Sequence, residues 1–332
     1  ADSDLVDADL SGATVSQSTL DDSDLRVADL TDAAFTAVTL ETATLDNADL
    51  SGSTLSSVDA TEADLSAATA RGVTADEVDL TGATLARAEL AEASLDDATL
   101  VDADLSNVDL SEADCENADL SGATLDRATL EATTFTRATL TAATLTHATL
   151  SGATFTSATL DDARLVEATA VDAGFDGATL RGATVAETDL TGGTLARADL
   201  ESATVELATL DSVDLAEADL SNATVAETTF ETATLSGATF AHATLTTVSF
   251  HGSTLGGADL RAVTAEGVSF DSADLQDATL DDANVAGADF TDATLSTADL
   301  SRTTLTGATL DGATADRVKL PDAKHDRSEE RF

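Results

Sequence analysis

The stretch EATTFTRATLTAATLTHATLSGATFTSATLDDARLVEATAVDAGF, residues 131–175, decides the fold. Within it Phe135, Phe155 and Phe175 stand 20 residues apart, and every fifth residue between them is apolar. The same spacing returns in Phe230, Phe250, Phe270 and Phe290, in Val185, Val205 and Val225, and one register away in Val38, Val58 and Val78. Nine of the ten Phe occupy multiples of five, and no two are separated by 15 or 25 residues. A helix turning about 100° per residue would rotate a five-residue repeat by about 140° each time and smear these side chains around all sides. A chain that repeats every five residues and matches like side chains every twenty is most simply a coil of four short sides, with the phenylalanines stacked in its core.

Outward from this stretch the period of five runs unbroken from residue 5 to residue 320, giving 64 units with Leu at the fifth position in 43. The residue two before it is Ala in 44 of the 64. In an extended segment residues two apart share a face, so the small residue and the Leu both point inward while the Asp or Thr between them points out. The odd step to the next small residue requires a corner, which the two variable positions supply. Gly12, Gly52, Gly82, Gly122, Gly152, Gly182 and Gly307 all fall at the second of these, where a turn can need φ > 0. Unbroken self-similarity overrides the two-domain prior for 332 residues: one solenoid is expected over 1–320, with a polar tail at 321–332 that breaks register at Pro321, the sole proline.

Units such as Ala48-Asp49-Leu50 and Ala118-Asp119-Leu120 carry the A-(D/N)-L-x-x motif, and on them the chain resembles the pentapeptide repeat family over residues 1–320. The resemblance implies an all-β fold, a right-handed quadrilateral β-helix; four units to a coil give about 16 coils. It also brings a functional expectation, because some members resemble a DNA duplex in shape and charge and occupy the DNA-binding saddle of gyrase.

The charge is extreme: 15 Lys and Arg face 63 Asp and Glu, a net charge of −48. Such a field keeps a protein soluble and repels phosphate backbones, so neither direct nucleic-acid binding nor a membrane partner is expected. Asp-rich, Lys-poor, Thr- and Ala-rich composition resembles that of proteins from salt-loving microbes. The charge is even around the four sides but uneven along the chain. Residues 1–120 carry −26, residues 121–160 carry 0 and residues 161–320 carry −21. The neutral, Thr-rich girdle at 121–160 is a candidate contact zone.

Outward positions form columns and are the candidate binding surface. Asp9, Asp29 and Asp49 make one acidic column; Thr184, Thr204, Thr224, Thr244 and Thr264 make another, interrupted by Arg164 and Asn284. Carboxylates ~4.8 Å apart repel by about 0.9 kcal/mol per pair even in water, which salt relieves. His147, His242, His251 and His325 are too scattered for a metal site, and Cys115 at a multiple of five reads as a small buried hydrophobe. No catalytic residue, cofactor or metal is assigned, since no insertion forms a pocket and no nucleophile, base and orienter converge. No run matches a membrane span and no charged-then-apolar leader precedes the repeats, so a cytoplasmic location is expected. The sequence reading is therefore a non-enzymatic acidic scaffold, salt-adapted, with an unidentified protein partner and end-to-end or girdle-mediated self-association as an option. The alternative is a DNA mimic directed at gyrase or another topoisomerase.

Overall fold

Residues 3–320 are described by a computed structural model; the polar tail, with Pro321, His325 and Phe332, lies outside the described residues. The chain divides into two compact units, Ala1–Gly174 and Phe175–Phe332. Each is built from the same five-residue step, and the described residues of both are strands, bridges and turns without a helix.

One step shows how the sequence closes a coil. Leu25 and Ala28 point inward and are at most 1 % exposed. The Leu25 N–H donates to the Thr44 carbonyl of the next coil at 2.7 Å, and the Thr44 N–H donates back to the Ser23 carbonyl at 2.9 Å. At the corner the Val27 N–H reaches the Asp46 carbonyl at 3.1 Å, while the Ala28 N–H closes the turn on Leu25. The backbone is satisfied by the neighbouring coil rather than within its own, so a single coil has nothing to fold against and stability comes from stacking.

The first unit contains β1 (Thr14–Ser16), β2 (Ala34–Thr36), β3 (Thr54–Ser56) and β4 (Arg164–Val166). Strands β1 to β3 pair in parallel with Val15 over Phe35 over Leu55. The second unit contains β5 (Thr184–Ala186), β6 (Thr204–Glu206), β7 (Thr224–Ala226), β8 (Thr244–Thr246) and β9 (Thr264–Glu266). These are parallel too, and Val185, Val205 and Val225 lie in register as the spacing predicts. The other sides make parallel bridges with the same shift of 20, from Asp4↔Asp24 to Thr154↔Gly174 in the first unit and from Thr179↔Asp199 to Asp299↔Lys319 in the second. The architecture is an all-β, parallel β-solenoid.

The corners go beyond the glycine signal. Every second variable residue from Asp7 to Arg317 has positive φ, and 47 of them are not glycine. A left-handed L-residue costs roughly 1–2 kcal/mol, so the ladder imposes a conformation that most corner side chains resist. Val27 at φ 60° and Thr42, Thr232, Thr247 and Thr297 are the least favourable cases, because a β-branched side chain is poorly tolerated there.

Phenylalanine rings stack within each unit. Phe135 and Phe155 lie 4.9 Å apart and 9° from parallel. In the second unit Phe230, Phe250, Phe270 and Phe290 continue at 4.9–5.2 Å, and Phe175 is fully buried. Phe240 adds what the 20-residue columns did not reveal. Ten residues from Phe230 and Phe250, it comes from the facing side of a narrow core and meets both rings edge-on, at 6.3 and 5.7 Å. Where the small inward residue is Thr, its hydroxyl bonds a carbonyl, as from Thr133 to Leu110 and from Thr303 to Leu280, both at 2.7 Å. In the first unit Ala60, Ala70 and Ala75 take positions usually held by Leu, and an apolar cavity of about 30 Å³ lies beside them.

Candidate functional site

The acidic column forms as the spacing places it: Asp9, Asp29 and Asp49 lie side by side on successive coils. Their carboxylates are nevertheless engaged. Asp9 Oδ1 accepts the Ser11 N–H at 3.1 Å and the Ser11 hydroxyl at 2.7 Å. Asp29 accepts from Thr31 at 3.0 and 2.7 Å, and Asp49 from Ser51 at 2.9 and 2.6 Å. The Ser11 hydroxyl and N–H hold Asp9 below the usual carboxylate range. Asp thus pins the corner two residues on, an Asx-turn that opposes the strain of the left-handed residue after it. The same contact recurs at Asp189–Thr191 and Asp289–Thr291 in the second unit. Its sequence signal is an outward Asp followed two residues later by Ser or Thr, which the column analysis passed over.

Basic side chains attach to this framework in pairs. Arg26 bonds Asp24 with Nε at 2.8 Å and holds that carboxyl below its usual range. Arg261 does the same to Asp259. Lys319 Nζ lies 2.8 Å from Asp299 Oδ2 and, with the Ser301 hydroxyl and N–H, brings the Asp299 pKa down to about 2. Arg302 contacts both Asp281 and Asp282. Asp114 runs the other way: burial, reinforced by Asp96 and Asp76, pushes its pKa up.

The described histidines do not converge. His147 Nδ1 is 3.2 Å from Glu167, and His251 Nδ1 is 2.7 Å from Asp271. Cys115 is fully buried, and that burial pushes its thiol pKa up, so it packs as a hydrophobe. Among the described residues no cluster of three or more His, Cys, Asp or Glu is placed to hold a metal ion, and no helix is long and apolar enough to cross a membrane.

The girdle lies in the first unit and is lined by threonine ladders on all four sides: Thr124↔Thr144, Thr129↔Thr149, Thr134↔Thr154 and Thr139↔Thr159. Asp104, Asp109, Asp114 and Asp119 occupy the corresponding outward places of the coil before it, so an acidic ring abuts a neutral band. The Thr184–Thr264 column forms the outward face of β5 to β9.

A coil of four five-residue sides, with inward Leu and Ala and outward Asp or Thr, defines a quadrilateral repeat scaffold. The chain belongs to the pentapeptide repeat family. Sequence matches to Pentapeptide repeats together cover residues 3–72, 76–169 and 214–320. Among solved structures it is similar to HetL, a pentapeptide repeat protein involved in heterocyst differentiation regulation from the cyanobacterium Nostoc sp. strain PCC 7120. Identity to HetL is 29%, over 74% of this chain and 89% of that one, with a TM-score of 0.24. It is also similar to QnrB1, a plasmid-mediated fluoroquinolone resistance protein, at 18% identity over 73% of this chain and 92% of that one, with a TM-score of 0.31. No curated protein sequence matches the chain.

Proposed function

We propose that this chain is a non-enzymatic, acidic β-solenoid acting as a structural and protein-interaction scaffold adapted to high salt. The observation that carries the reading is the engagement of the outward carboxylates. Asp9, Asp29 and Asp49 each accept hydrogen bonds from the turn that follows, so the dominant acidic residue is part of how the corners that follow it fold. Acidity of that kind is spread over every side, and it hydrates the surface without building one site. A partner of this scaffold reads an extended ladder rather than a pocket.

A second reading, a DNA mimic that binds gyrase or another topoisomerase, draws support from charge density. Residues 1–120 carry a net −26 on six coils; at ~4.8 Å per coil that is one negative charge per about 1.1 Å, against one per about 1.7 Å for duplex DNA. The deciding experiment is gyrase supercoiling with increasing folded protein at a salt concentration that keeps both partners active. No effect at large excess supports the scaffold reading. Inhibition that disappears when Asp9, Asp29, Asp49 and their neighbours become Asn favours the mimic. Asn suits this test because its side-chain oxygen still accepts the turn hydrogen bonds while the charge is gone.

A further inference from the structure

One coil of the first unit is short of side-chain bulk. At the fifth positions of residues 56–75, Ala60, Ala70 and Ala75 replace the usual Leu and only Leu65 keeps it. The remaining fifth-position alanines, Ala170, Ala265 and Ala315, stand singly. Residues ten apart come from facing sides, so Ala60 faces Ala70 across the core. Part of the missing bulk is returned by the small inward residue, which is Val58 before Ala60 and Val73 before Ala75 in place of the usual Ala. Before Ala70 it is Ala68, and nothing is returned there.

The walls do not close over this shortfall. The Ala60 and Ala70 N–H groups reach carbonyls of the next coil at 2.7 Å and that of Ala75 at 2.8 Å, against 2.7 Å for Leu65. The ladder holds the backbone in place whatever side chain it carries, and the apolar cavity of about 30 Å³ is what remains. Leu55 and Leu65 border it, and at 8 % each they are more exposed than any other buried apolar residue. Both have a coil stacked before and after them.

The lining selects the occupant. Only Leu, Val and Ala surround the cavity, and no polar atom reaches it. A buried water takes two to four hydrogen-bond partners, so water is disfavoured here and the void stays dry. Roughly 10–15 Å³ accommodates one water-sized centre, so this cavity suits a molecule of two bonded atoms of similar width. What such a molecule gains is dispersion contact with side chains that otherwise face empty space.

We propose that this cavity is a binding site inside the first unit for one small apolar molecule of the size of dioxygen, held by Ala60, Ala70, Leu55 and Leu65. The site is independent of the scaffold reading and of any macromolecular partner. The test is methyl-detected NMR of the full chain, at a salt concentration that keeps it folded, under dioxygen pressure, with nitrogen at the same pressure as the diamagnetic reference. The expected result is paramagnetic relaxation at the methyl groups of Ala60, Ala70, Leu55 and Leu65 in excess of that at Leu145, which is fully buried away from the cavity. Ala70→Leu, which fills the void, should remove the excess at Leu55 and Leu65, and Val73→Ala, which enlarges it, should raise it. The comparison within the native chain does not depend on either variant folding. Relaxation no stronger at the cavity than at Leu145, an excess that survives in folded Ala70→Leu, or cross-relaxation of the cavity methyl groups with a bound water would overturn the proposal.

Discussion

At the scale of the residue, the corner is where sequence and backbone disagree most. Val27 is 55 % exposed and held at φ 60°, so its side chain contributes strain with little burial. Val27→Gly should stabilise the protein by about 0.5–1 kcal/mol, the strain released exceeding the entropy that glycine adds to the unfolded chain; a denaturant titration at high salt reads it as a higher midpoint. Asp299 tests the charged framework. Its folded pKa of about 2 lies below the ordinary 3.8, so its contribution is fully present above the unfolded value and is lost as pH falls through the folded one. The stability difference between the native chain and Asp299→Asn should therefore be largest above pH about 4 and shrink toward pH about 2, as followed by thermal melts at stepped pH.

At the scale of the element, a side is only three residues of extended chain and two of turn. The narrow core makes like side chains stack along columns, and it lets Phe240 reach the Phe230–Phe250 column from the facing side. A weak place is in the first unit, where Ala60, Ala70 and Ala75 border the cavity of about 30 Å³. At about 24 cal/mol per Å³ a void of that size costs about 0.7 kcal/mol. Ala70→Val should recover up to that amount, and a drop in stability in the same denaturant titration would mean that the surrounding leucines cannot yield to the added methyl groups.

At the scale of the whole molecule, self-repulsion dominates. A net charge of −48 destabilises the compact state, and molar salt shortens the screening length to about 3 Å. The melting temperature should rise markedly between low and molar salt, and an unchanged melting curve would contradict the salt-adapted reading. The sequence by itself determined the five-residue side, the 20-residue coil, the inward Leu and Ala, and which Phe and Val would stack, because each follows from periodicity once a helix is excluded. It also placed Asp9, Asp29 and Asp49 in one column. Only the tertiary structure decided that non-glycine corners are left-handed, since the coil above and below dictates the turn regardless of the residue in it. Only there, too, do the column's carboxylates appear as acceptors for Ser11, Thr31 and Ser51. Strand periodicity records which way a side chain points; what its atoms bond depends on the corner the backbone makes two residues later, and that geometry exists only in the stacked coil.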